Sequence, residues 1–570
     1  MTACPRCTRL TVHLVLGLLA LASSSCSVAA GFPSVHAETT QARCLNGVDD
    51  DLNGRLDCAE ATCAPFCPTA DRVHPADLTP CYTLGDSAFV FVRGESNPDG
   101  ECLPWSLGSD GELAEPVCQE GEQVFAGEAN CTPLGATCKA PGEWPSDVPA
   151  GAIYVLSEAA AGGDGSVGAP YANLSDAITH ASDGDTIMIG PGLYLGEVRV
   201  EHAVTLRGVC ADAVHLWSDG SDPVLTVAAS GVSVVDVTIG VGLGATHASV
   251  ERGLRIEAAN ARLDSVAIDG VQRSALEVAT GGELLGHRLS VRGQTQAADP
   301  AILLEEGSTT AIQQLRVDSV EGDGIEARGS LNLSGAYLAD LTGGAGLSVH
   351  PSADVTLAGV AIVRPTTAAI DADCSGDPLP CVQGEDVMAS ADGALGIVVR
   401  GGSVAFTRTL LLRAGAAGVH LLSGVGQFDD LVVKQTSAAG GVTGAGVRVE
   451  AGASLRGSRL LMQQNLLDGV EVRGGDLLVS HLTVDARQRS GTNGVGVRAV
   501  GGSLALQAFA IDQAGVCAIE LFDGANAVFR EGVVSGSGRG ICVRDDDITV
   551  EEMAPFVTFT EDVARPIFVE

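Results

Sequence analysis

Gly446-Val447-Arg448-Val449, Ser454-Leu455, Leu460-Leu461-Met462, then Gly469-Val470-Glu471-Val472, Leu477-Leu478-Val479 and Leu482-Thr483-Val484: across residues 446–484 a glycine before a branched apolar residue opens a unit, and two more apolar runs complete it. The opening pair recurs at Gly324-Ile325, Gly346-Leu347, Gly396-Ile397, Gly418-Val419, Gly496-Val497 and Gly540-Ile541, with intermediate copies at Ala369-Ile370 and Ala518-Ile519. Most spacings are 22 to 28 residues. Three short strands in that length make one coil of a three-sided solenoid, which buries its inner face only when coils stack. The fold class expected is therefore all-β, a parallel β-helix with three short strands per coil. Parallel crossovers set a right hand. Roughly fifteen coils fit after Val198, which at ~4.8 Å between strands gives a rod roughly 70 Å long. A left-handed hexapeptide helix would need a six-residue repeat and a leucine-rich repeat its asparagine consensus; neither pattern is found.

Composition agrees. The 570 residues are 45% hydrophobic but 4% aromatic, so the core is built from small and branched aliphatic side chains. With 71 acidic and 33 basic residues the formal charge is −38, which repels nucleic-acid phosphates and anionic lipid headgroups. Lys139 and Lys434 are the sole lysines.

Upstream of the repeats stand Tyr154-Val155, Gly162-Gly163-Asp164-Gly165, Pro170-Tyr171, Gly184-Asp185-Thr186-Ile187 and Pro191-Gly192-Leu193-Tyr194. In order and spacing this stretch resembles the opening of the pectate-lyase-like superfamily of bacterial β-helix proteins. The resemblance implies the fold and says little of activity. Leu174, Ala177, Ile178 and Ala181 fall at helical spacing, so a short amphipathic helix is expected to cap the first coil. Its N-cap is Asn173 or Ser175.

The N-terminus reads as an export signal over residues 1–25, with Arg6 and Arg9 before the apolar run Leu10 to Ala22. Ser23-Ser24-Ser25-Cys26 resembles a bacterial lipobox, with Ser23 where leucine is usual; Cys26 would then be acylated. Ordinary cleavage after Ala30 or Ala37, giving a freely secreted chain, is the alternative. The expected locations are the cell envelope, as an outward-facing outer-membrane lipoprotein held to the membrane by its lipid alone, or the exterior. Residues 26–43 read as a tether and 68–148 as a cysteine-rich module, with the β-helix over 152–570. Setting aside Cys4, Cys7 and Cys26 leaves 14 of the 17 cysteines to pair, as an oxidising compartment favours.

Within residues 44–67, Asp49-Asp50-Asp51-Leu52-Asn53-Gly54-Arg55-Leu56-Asp57-Cys58-Ala59-Glu60 satisfies a calcium-loop template. Asp49, Asp51, Asn53, the Arg55 carbonyl, Asp57 and Glu60 would supply the oxygens, for a structural calcium. Cys44, Cys58, Cys63 and Cys67 stand where an EF-hand has helices. The stretch resembles cysteine-flanked, Asp-rich modules of secreted bacterial proteins described as metal-binding. An acidic, solvated turn in a disulfide-rich module is the competing reading.

Many proteins of this fold cleave polysaccharides, so a lyase or glycoside hydrolase is the alternative function. Polygalacturonase-type Asn-Thr-Asp and Gly-His-Gly signatures are absent, and neither lysine completes an Arg-x-Lys clamp. Acidic residues cluster at Asp371, Asp373, Asp377, Glu385 and Asp386, and at Asp429 and Asp430, without a recognisable arginine motif. Cys374 and Cys381 close the first cluster as a disulfide-pinned loop. Cys517 and Cys542, about one coil apart, either staple neighbouring coils or stay as buried thiols. His350 and His420 stand apart from each other, and Trp217 is the sole tryptophan of the solenoid. No catalytic residue is assigned. The expectation is a non-catalytic exported protein whose loops, such as 239–250, 371–390 and 438–445, display contacts for an extracellular glycan or protein.

Overall fold

The computed structural model describes residues 81–569 apart from residues 82, 85–87, 90–91, 94–101, 108–111, 120, 140–142, 241–249, 258–259, 377–379, 440–443, 488–493, 545–553 and 561. From Ile153 onward the chain winds as a parallel β-helix of about 15 turns. Short strands such as Ala445–Glu450 and Asp468–Arg473 form the first face, a 16-stranded parallel sheet. Longer strands such as Ala453–Gln463 and Asp476–Asp485 form a 19-stranded sheet.

Each long strand is two strands joined at a corner. In successive coils the corner residue has positive φ: Asp236, Ser265, Arg288, Gln314, Gly335, Gly359, Asp386, Arg408, Asp430, Arg459, His481, Ala508 and Glu531. Pairing is in register on both sides of the corner, as for Ser458 on Ser480 and Leu460 on Leu482 around Arg459 and His481. The long strand thus supplies the second and third faces, giving the three strands per coil that the repeat requires. A side chain in the left-handed region costs on the order of 1 kcal/mol. Some corners are held by their neighbours: Asp386 accepts from Arg408, and both carboxylate oxygens of Asp430 accept from Arg459, at 2.5 and 3.0 Å.

The interior is aliphatic rows. Val447, Val470, Val497, Ile519 and Ile541 stack in register on the first face, all buried. The glycines that precede all of them but Ile519, which follows Ala518, have a steric cause. A Cβ on Gly469 would lie 2.4 Å from Val484 Cγ1 and 2.6 Å from the Gly496 carbonyl oxygen of the next coil. At the first coil, Leu174–His180 forms the capping helix, with Leu174, Ala177 and Ile178 buried. Asn173 is its N-cap, its Oδ1 accepting from the Asp176 amide at 2.9 Å.

From Tyr337 to Leu461 the third face is apolar outward as well as inward. Its outer row runs Thr238, Ala267, Ser290, Arg316, Tyr337, Ala361, Met388, Leu410, Val432 and Leu461, one residue per coil. Residues 102–138 of the cysteine-rich segment lie over this row as a flap with little regular structure. Cys102, Leu103, Trp105, Val124 and Ala126 pack on Tyr337, Ala361, Met388, Leu410, Val432 and Leu461. Trp105 meets Tyr337 edge to face, 5.0 Å between centroids, a geometry worth about 0.5–1.5 kcal/mol beyond the buried area. Disulfides Cys81–Cys102 and Cys118–Cys131 staple the flap internally, and Cys138–Cys210 ties it to the solenoid. Glu128 accepts from Arg288 at 2.6 Å, and Asp236 from the Ala136 amide at 3.0 Å.

Gly469→Ala is expected to lower stability by about 1–3 kcal/mol through this overpacking. Gly168→Ala, where an added Cβ meets nothing within 4 Å, should stay within about 0.5 kcal/mol of the parent. Paired denaturant titrations of the two variants check this.

Candidate functional site

The flap leaves a cleft of about 1230 Å³ against the first coils of the third face. Leu193, Ala211, Thr238 and Ala267 come from the solenoid, and the stretch from Glu115 to Val124, with Leu134, from the flap. Phe125, Leu134, Ala211 and Ala267 close one end as a small buried cluster.

Alternating charges on adjacent coils cross the cleft. Asp269, Arg292 and Asp318 stand in register on three successive strands. Both Asp269 oxygens accept from Arg292, at 3.1 and 2.8 Å. Burial nevertheless holds the Asp269 carboxyl above the usual carboxylate range, against the pull of Arg292. Arg316 donates to Glu115 and Asp318, both at 2.6 Å, and to the Val124 carbonyl at 3.3 Å, with its guanidinium 5.1 Å from the Tyr337 ring centroid. The two arginines of the cleft are thus engaged by carboxylates. Among the described residues Asp212 and Glu122, also in its lining, carry no ion pair.

A second charged cluster lies on the outer side of the first face, where Arg448, Glu471, Arg498 and Glu520 stack in register. Glu471 is held by Arg448 at 2.7 Å and Arg473 at 2.6 Å, and Glu520 lies 3.2 Å from Arg498. Beside them Asp468 is fully buried and neither carboxylate oxygen has a hydrogen-bond donor, the Arg498 guanidinium being 3.4 Å away. Its carboxyl is pushed up to about 7, first by burial, with Glu471 and Glu520 adding and Arg498 opposing.

The acidic residues singled out by sequence do not converge. Asp371 is on the first face, paired with Arg400, and Asp373 accepts from the Ser375 amide at 3.1 Å. Glu385 and Asp386 sit at the other sheet's corner, both on Arg408. Asp429 accepts from Ser458 at 2.5 Å. His350 lies 3.0 Å from Glu326 and His420 3.3 Å from Glu450. Cys374 is bonded to Cys381, and Cys517, just before the strand Ile519–Phe522, to Cys542 on the neighbouring strand Arg539–Val543. Cys26, Cys44, Cys58, Cys63, Cys67, Asp377 and the calcium-loop residues Asp49, Asp51, Asn53, Arg55, Asp57 and Glu60 lie outside the described residues, as does most of loop 239–250. Among the described residues no group of three or more His, Cys, Asp or Glu is placed to hold a metal.

No protein-family model matches the chain. No curated protein matches it either. Among solved structures it is similar to a pectin methylesterase in complex with hexasaccharide VII (12% identity, 38% of this chain and 80% of that one, TM-score 0.26). The catalytic unit of a thermostable GH87 α-1,3-glucanase from Streptomyces thermodiastaticus strain HF3-3 matches at 16% identity (75% and 70%, TM-score 0.25). The Siphovirus 9NA tailspike receptor binding domain matches at 11% (70% and 74%, TM-score 0.29). At such scores these likenesses carry no argument, and the fold rests on the strand pairing itself.

Asp468 generates a pH dependence. Its pKa is about 7 in the folded chain and ~3.9 when unfolded, so between those values the native state keeps a proton that the unfolded chain has lost. Stability therefore falls as pH rises through that window. Asp468→Asn, which carries no charge to bury, is expected to be flatter with pH than the parent and more stable than it near neutral pH. Melting temperatures measured from acid to neutral pH check the difference.

Proposed function

We propose that this chain is an exported, non-catalytic surface protein that binds an extracellular glycan or protein in the cleft between flap and solenoid. The observation that carries the reading is the state of the cleft's buried charge. Asp269, Glu115 and Asp318 are committed to Arg292 and Arg316. Asp269 is held by Arg292 on both oxygens, and Glu115 and Asp318 each on one oxygen by Arg316, which ties these three to the wall; Asp212 and Glu122, without an ion pair among the described residues, contact the ligand in this reading. Fixed ion pairs in a stapled wall suit recognition, because their geometry is already organised before the ligand arrives.

Five disulfides among the described residues point to an extracellular or periplasmic location. No helix among those residues is long and apolar enough to cross a membrane. In this reading Cys26 carries a lipid that holds the chain to the outer membrane, and residues 49–60 hold a structural calcium through Asp49, Asp51, Asn53, Arg55, Asp57 and Glu60. Both assignments rest on the sequence patterns alone.

The test is to incubate the mature chain with acidic, neutral and amino polysaccharides, measuring retention in affinity electrophoresis beside release of reducing ends and unsaturated products. Retention of at least one class without products is expected. Products at turnover rates would overturn the non-catalytic reading in favour of a polysaccharide-degrading enzyme.

A further inference from the structure

Among the described residues the cleft leaves buried polar atoms and carboxylates without partners. Gln123 lines it, is 7% exposed, and its buried Oε1 has no hydrogen-bond donor. His215 lines it too. Its Nε2 donates to the Asp212 carbonyl oxygen at 3.1 Å, since a carbonyl can only accept. Its Nδ1 is buried with no hydrogen-bond partner among the described residues. Asp212 is exposed and Glu122 half-buried, and neither has an ion pair. The Asp212 carboxylate is placed against the flap, since a Cβ added at Gly121 would lie 3.2 Å from its Oδ2.

Both arginines of the cleft are engaged. Arg292 is bound by Asp269, and Arg316 by Glu115, Asp318 and the Val124 carbonyl. An incoming carboxylate would have to break one of these charge-assisted pairs to find a cation, in a protein of net charge −38. An incoming hydroxyl or ammonium finds acceptors already waiting, and buried acceptors left unmade cost about 1–3 kcal/mol each.

Resting on the reading of the cleft as the binding site, we propose that its ligand is a donor-rich saccharide without carboxylates, with protonated amino sugars preferred over neutral ones and uronates rejected. Asp212 is the residue that ranks the amine above the hydroxyl. Gln123 meets hydroxyls of either sugar and is indifferent to their charge.

The experiment titrates the full mature chain by calorimetry with hexamers of glucosamine, N-acetylglucosamine and galacturonate, at a pH where the amines are protonated. Affinity is expected to fall in that order. Asp212→Asn should weaken the glucosamine hexamer about fivefold and leave the N-acetylated one nearly unchanged. Gln123→Leu should weaken both. If the galacturonate hexamer binds as tightly as glucosamine and Arg292→Ala abolishes it, the cleft is a binding site but the ligand class is wrong. Failure of all three hexamers to bind, or binding untouched by these substitutions, overturns the cleft as the site and this proposal with it.

Discussion

Every coil of this protein depends on the one stacked against it, because a turn of twenty-odd residues with three short strands has no inner volume of its own to bury. What makes stacking repeatable is the shared corner. From Asp236 to Glu531 each coil turns between its second and third faces at a positive-φ residue that lies in register with the next. The chain tolerates aspartate, arginine, glutamine and histidine at that strained position, and adjacent corners of opposite charge, such as Asp386 and Arg408, bond to each other. Register then fixes the aliphatic rows, and the rows fix which side chains face out.

The same register explains where the flap sits. Between Tyr337 and Leu461 the outer row of the third face is apolar, and the flap covers it with Leu103, Trp105, Val124 and Ala126. One coil beyond Leu461 the row continues at Thr483, which is half-buried, and two further coils on at Val533, which is exposed. The flap is therefore a local cover for one stretch of a longer surface. Where it bridges the more polar coils around Asp269 and Arg316 it stands off and leaves the cleft.

Much of the fold was legible. The glycine before a branched residue announced the first-face strand, and the structure supplies the reason at Gly469, where any Cβ would strike the next coil. The helix and its buried face followed from spacing, and of the two N-cap candidates, Asn173 and Ser175, the structure uses Asn173. The docking of residues 102–138 on the solenoid was not foreseen, although a signal was present. Leu410-Leu411-Leu412, Leu431-Val432-Val433 and Leu460-Leu461-Met462 are apolar without alternation, as strands buried on both sides are, whereas Leu482-Thr483-Val484 alternates. The cleft was illegible for a different reason. Its residues come from 115–134, 193–240 and 267–319, brought together by Cys138–Cys210 and by the stacking of coils, and no spacing within one segment encodes that meeting. Asp371 and Asp386, close in sequence, end on different sheets for the same reason.

Ligand recognition between flap and third face is tested most directly by amide hydrogen exchange across the chain with and without saturating saccharide. Added protection confined to residues 115–124 and 211–216 is the expected result. Protection spread along the outer side of the first face, with the flap unchanged, would contradict it.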